Sequence, residues 1–65
     1  MATTTYQQAR AQVPTDAYWS CSFGYPAQGG YAEFWRTKDG RRWEISNGRY
    51  DAVEPFHWTA RPVSP

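Results

Sequence analysis

The sequence predicts an α+β domain, mostly β, with a short N-terminal helix on a four- or five-stranded antiparallel sheet and an aromatic core. Three observations carry this expectation. The chain has no leucine and one isoleucine, Ile45, yet it holds four tryptophans, five tyrosines and three phenylalanines. Aromatic side chains suit the pleated surface of a sheet, and each buries roughly 150–250 Å², so a few can stand in for a larger aliphatic set. Asp39-Gly40 and Asn47-Gly48 are strong hairpin signals, each set between strand-like runs. Finally, residues 3–13 place Tyr6, Ala9 and Val13 near one helical face, with a threonine to cap the start and Pro14 to end it.

The 65 residues make one small domain, 1–65. It divides into a helix over 3–13, a β-rich part over 17–60 and a proline-rich tail over 61–65. An eleven-residue helix is too short to stand alone and has to dock on the sheet. Ala17 to Phe23 reads as a strand with Ala17, Trp19, Cys21 and Phe23 on one face. The segment from Gly24 to Gly30 is a loop by composition.

Taking both Gly-containing corners as two-residue turns fixes a register. The first pairs Arg36 with Trp43 and Phe34 with Ile45; the second pairs Ser46 with Arg49, Ile45 with Tyr50 and Trp43 with Ala52. One face then carries Ala32, Phe34, Trp43, Ile45, Tyr50 and Ala52. The other carries Glu33, Thr37, Arg42, Glu44, Ser46, Arg49 and Asp51, with Trp35 and Val53 among them. After Pro55, alternation resumes from Phe56 to Ala60 as a further strand. The tail is too rich in proline for a central strand.

Composition narrows the function. A lone Cys21 between two serines offers neither a disulfide nor a zinc-ligand spacing, and suits a reducing compartment. The N-terminus lacks the apolar stretch of a signal peptide and no segment is apolar enough to span a bilayer, so a cytoplasmic protein is expected. A net charge of +1, from seven basic and six acidic residues, gives no strong field for nucleic acid or membranes.

No catalytic constellation or cofactor motif is evident. His57 is the only histidine and its pairing with Cys21 lacks an activating environment. Glu44 and Asp51 fall opposite each other in the expected register, but Arg42 and Arg49 lie beside them, which favours a solvated charge lattice. The expectation is therefore a non-enzymatic binding protein without metal or cofactor. Trp35 sits on the otherwise polar face beside Arg42, the composition of an interface hot spot, unless the helix covers it. Trp35, Arg36, Arg42 and Arg49 are the expected partner-binding residues. The basic set Arg36, Lys38, Arg41, Arg42 and Arg49 leaves a β-sheet nucleic-acid binder as the alternative, weakened by the acidic residues interleaved with it.

The order of Trp19, Pro26 and Gly29, then Ala32 to Trp35, Trp43 after the Asp39-Gly40 turn, and His57-Trp58 with Pro62 and Pro65 resembles a family of short phage and prophage proteins of unknown function. The resemblance spans about residues 18–65. It departs at Ser20 and Cys21, and again at Thr59-Ala60-Arg61, where the family has apolar residues. It implies a phage-derived protein in a host cytoplasm that modulates or inhibits a host or anti-phage protein by direct contact, as anti-CRISPR proteins do.

Overall fold

The structure, a computed structural model, describes residues 4–63. Position 3 of the expected helix and positions 64 and 65 of the tail lie outside the described residues. Helix α1 spans Tyr6–Arg10. Thr5 caps it through a capping box: its side chain accepts from the Gln8 amide, and the Gln8 side chain accepts from the Thr5 amide. The chain leaves the helix through further turns, with the Val13 amide donating to Arg10 at 3.1 Å. The regular helix is thus shorter than expected, while Ala9 and Val13 are turned inward as expected and are 0 % and 2 % exposed.

Four strands follow, β1 (Tyr18–Phe23), β2 (Ala32–Arg36), β3 (Arg42–Ser46) and β4 (Thr59–Val63), in one antiparallel sheet of order β1-β2-β3-β4. This is the expected α+β class, mostly β. Both edges are interrupted: β1 carries a bulge between Trp19 and Cys21, and β4 carries Pro62. Proline is tolerated on an edge strand because the amide it lacks is not needed by a further neighbour. The last strand therefore runs into the segment read as a proline-rich tail, and it begins at Thr59 rather than at Phe56.

The first hairpin is where the sequence places it, but its register differs by one residue. Trp35 opposes Trp43, Glu33 opposes Ile45, and Phe34 opposes Glu44. The cause is a loop of three residues, Lys38-Asp39-Gly40, instead of two. The Thr37 amide donates to Arg41 at 2.9 Å and the Gly40 amide to Thr37 at 3.1 Å, with Gly40 at φ +89°. That is a type I turn closed by a glycine in the left-handed region. The Thr37 hydroxyl holds it, donating to Asp39 and accepting from the Arg41 amide. One extra loop residue turns β2 over relative to β3.

The second corner makes no hairpin. β3 pairs instead with β4, Ser46 opposing Thr59 and Ile45 opposing Ala60. The expected pairs of Ser46 with Arg49, Ile45 with Tyr50 and Trp43 with Ala52 do not form, and Tyr50 is 91 % exposed. Asn47 explains the difference. It is fully buried and its side chain is spent on the 24–30 loop: Oδ1 accepts from the Tyr31 amide at 2.9 Å, and Nδ2 donates to Gln28 at 2.7 Å and Pro26 at 3.4 Å. An asparagine clamped in this way is unavailable as a hairpin corner. The 49–52 turn packs on the same loop so closely that a Cβ on Gly29 would lie 2.6 Å from the Arg49 carbonyl oxygen.

Residues directly opposite in antiparallel strands share a face, so the register defines two. The covered face carries Glu33, Trp35, Trp43, Ile45 and Ala60, and α1 packs on it at β3 and β4; Trp19, expected inward, lies at its β1 edge beyond the helix and is 54 % exposed. Its centre is Ile45, 0 % exposed, with Ala9, Val13 and Ala17; Trp35, Trp43 and Trp58 pack around them. The aromatic core is thus a tryptophan ring around a small aliphatic centre. Trp43 and Ile45 point inward as expected, whereas Ala32 and Phe34 belong to the opposite face.

Candidate functional site

Among the described residues, no helix lies over that opposite face. Across its first row run Tyr18, Arg36, Arg42 and Val63; across its second run Cys21, Phe34, Glu44 and Arg61. Phe23 joins them at the end of β1, its ring edge-on to Phe34 at 6.0 Å. A shallow cavity of about 220 Å³ lies between Ser20, Cys21, Phe23, Phe34, Arg36 and Arg42. Tyr18 and Phe23 are 54 % and 64 % exposed.

The charges of this face are uneven. Arg61 Nε donates to Glu44 Oε1 at 2.7 Å, so that pair is satisfied. Arg36 and Arg42 stand directly opposite each other and, among the described residues, neither meets a carboxylate within 4.0 Å. Like charges across a strand pair destabilise it. An anionic group placed over the pair would remove that repulsion.

Of the four residues the sequence singled out, the structure brings Arg36 and Arg42 together. Trp35 is on the covered face, half-buried against the core, with the Arg10 guanidinium 4.0 Å from its ring centre and its indole N–H donated to Glu33 at 2.9 Å. It is a packing residue held by a cation–π contact, and the helix is what covers it. Arg49 lies outside the sheet, on the exposed 49–52 turn, and pairs with Asp51 at 3.4 Å. Glu44 and Asp51, expected to face each other, are separated because Asp51 is in the loop and Glu44 is in β3. Cys21, read as inward, is exposed on the open face because the bulge at Ser20 reverses the strand's alternation. His57 lies in the segment before β4, its Nδ1 accepting from the Thr4 amide at 3.5 Å. Cys21 and His57 therefore belong to different surroundings.

Sequence reasoning missed Tyr18 and Phe23 as exposed residues and Phe34 as their half-buried neighbour on the open face. It also missed Glu33, which is only 5 % exposed on the covered face. The Glu33 carboxylate accepts from Tyr6 Oη at 2.6 Å, Tyr31 Oη at 2.5 Å and Trp35 Nε1 at 2.9 Å. The signal was present: Tyr31, Glu33 and Trp35 alternate along one strand face, and a carboxylate between two aromatics with polar tips has donors at hand. Burial, followed by the hydrogen bonds to Glu33 and its charge, pushes both the Tyr6 and the Tyr31 hydroxyl up to about 12. A tyrosine whose folded value is raised contributes stability that is complete below the unfolded value near 10 and is lost as pH climbs towards 12. Ultraviolet titration of phenolate is therefore expected to show two of the five tyrosines ionising about two pH units late. Thermal stability should fall between pH 10 and 12; a flat stability across that window would remove the buried network.

Among the described residues, no group of three or more His, Cys, Asp and Glu is placed to hold a metal ion, and no helix is long and apolar enough to cross a membrane. No protein-family model matches the chain, and comparison with curated proteins and with solved structures yields no match.

Proposed function

We propose that this domain is a non-enzymatic binding protein that acts by contact, taking an acidic surface of a partner protein on its open sheet face. The observation that carries this reading is the opposed pair Arg36 and Arg42, without carboxylate partners among the described residues and flanked by Tyr18, Phe34 and Phe23. Arginine beside solvent-facing aromatic rings is the composition of an interface hot spot. A rigid face with a few such anchors is all that a stoichiometric modulator needs. The resemblance to short phage proteins supports a host or defence-system protein as the partner, and inhibition or modulation of it as the outcome.

A second reading, a single-stranded nucleic-acid platform, is favoured by the same three aromatic rings, which offer surfaces for base stacking. Charge count supports it less. Arg61 is already engaged by Glu44, so the face has two free arginines and neutralises few phosphates.

The test compares the wild-type chain with the R36E/R42E double variant, which leaves the covered face intact. Affinity capture from a bacterial host lysate is expected to retain a protein on the wild type and lose it on the variant. With that protein in hand, the affinity should drop by about 30-fold or more, the scale of a hot-spot loss of 2 kcal/mol. Titration of random single-stranded DNA into the wild type is expected to give no saturable binding. Binding that saturates and weakens steeply with salt would transfer the face to the second reading.

A further inference from the structure

On the other side of the sheet, Tyr6, Tyr31 and Trp58 form three walls of a cavity of about 290 Å³, with Pro26 and Glu33 completing it. The rings stand almost at right angles: Tyr6 to Trp58 at 5.1 Å and 81°, Tyr31 to Trp58 at 5.8 Å and 67°. Such an arrangement presents ring faces from more than one direction to whatever fills the space. The volume is near the lower bound of about 300 Å³ for sites that hold small molecules. A larger cavity of about 650 Å³ shares Tyr6, Pro26 and Trp58 with it and adds Pro55, Phe56 and Glu54. The two spaces are thus neighbours on either side of the same three residues.

The chemistry of the pocket is one-sided. Glu33 is 5 % exposed, and among the described residues no lysine, arginine or histidine nitrogen lies within 4.0 Å of its carboxylate. Its three hydrogen bonds come from neutral donors, and the nearby Arg10 guanidinium lies over the Trp35 ring without forming an ion pair to it. Buried carboxylates are ordinarily paired. Aromatic faces add negative potential of their own and attract cations within about 6 Å of the ring centre.

We propose that this pocket binds an alkylated ammonium group. Both the aromatic walls and the carboxylate at the back favour positive charge. The choice among cations follows from donor counting. A carboxylate offers about four lone-pair positions, and three on Glu33 are already taken. A guanidinium, with five N–H donors, or a primary ammonium, with three, would lose water that the pocket cannot replace. A quaternary ammonium has no N–H to satisfy and needs only charge and contact. The site lies on the covered side of the sheet and is independent of the open face and its partner.

The experiment uses the whole chain and amide and indole chemical shifts, titrating choline, N-acetyl-trimethyllysine amide, sodium chloride and the uncharged choline isostere 3,3-dimethylbutanol. Saturable shifts centred on the Trp58 indole and the Tyr31 amide are expected for the two ammonium compounds. The isostere should bind at least about tenfold more weakly, the factor that a charge–ring contact of roughly 1.4 kcal/mol supplies. If trimethyllysine is the tighter arm, the source is a modified side chain; if choline is, it is a free small molecule. Either supports the assignment. Glu33→Gln should lower choline affinity by a similar factor; if it fails to fold, the charged and uncharged isosteres still decide. Equal binding of choline and dimethylbutanol would make the pocket a plain apolar hole. No saturation by either ammonium compound up to about 100 mM, or shifts confined to the open face, would overturn the proposal.

Discussion

Replacing Asn47 with alanine is expected to cost this domain most of its stability. The side chain is 0 % exposed and joins β3 to the 24–30 loop through bonds to the Tyr31 amide and to the Gln28 and Pro26 carbonyls. Removing it leaves the Tyr31 amide and the Gln28 carbonyl without those partners, at about 1–3 kcal/mol for each group that stays buried. A chain of this length has a total stability of only about 3–10 kcal/mol, taking roughly 0.05–0.15 kcal/mol per residue. Asn47→Asp should be no better at neutral pH. It keeps the acceptor for Tyr31 but loses the donor to Gln28 and places a charge in a buried position. Urea denaturation followed by tryptophan fluorescence checks both. A midpoint close to wild type for Asn47→Ala would mean that the loop is not anchored there.

The second large effect belongs to Ile45. It is the one fully buried large aliphatic side chain among the described residues, and Ala9, Val13 and Ala17 surround it with three tryptophans. Ile45→Ala is expected to cost about 2–5 kcal/mol and Ile45→Val about 0.5–1.5 kcal/mol. In a domain of this size each kcal/mol moves the melting temperature by about 4–8 °C. The informative comparison is Phe34→Ala. Phe34 is on the open face, opposite Glu44 and in contact with exposed Phe23, so its loss should cost well under half as much as that of Ile45. Equal costs would put Phe34 in the core and contradict the register.

The contrast between these residues shows how much was legible in the chain. Local signals read true. A threonine, Thr5, caps the helix, Ala9 and Val13 point inward, and β2 and β3 flank the Asp39-Gly40 corner. Parity did not survive, because Lys38-Asp39-Gly40 and a two-residue turn carry the same dipeptide signal. That single residue exchanged the faces of Phe34 and Trp35, placing Trp35 on the covered side and Phe34 on the open one. Asn47-Gly48 misled for a different reason: the asparagine's partners come from a loop about twenty positions earlier, which no local pattern encodes. The same applies to β4, whose pairing with β3 closes across the 47–58 connection. Of the candidate site, Arg36 and Arg42 were singled out by residue type, but the expected register set them on opposite faces, and only the three-residue turn brings them opposite each other. The company of Tyr18 and Phe23 was not legible, since it depends on a bulge at Ser20. Glu33 was legible in part, since Tyr31 and Trp35 flank it on one strand face; the approach of Tyr6 from the helix, which completes its burial, was not.

The two rims of the sheet have a consequence for how copies of this protein meet. A sheet grows by adding a strand to an unbroken row of amides at its margin. Here one margin is kinked by an extra residue at Ser20, and the other includes Pro62, which has no amide proton to offer. Neither side is a good template for recruiting another chain. Crowded molecules are thereby discouraged from zipping edge to edge into fibres.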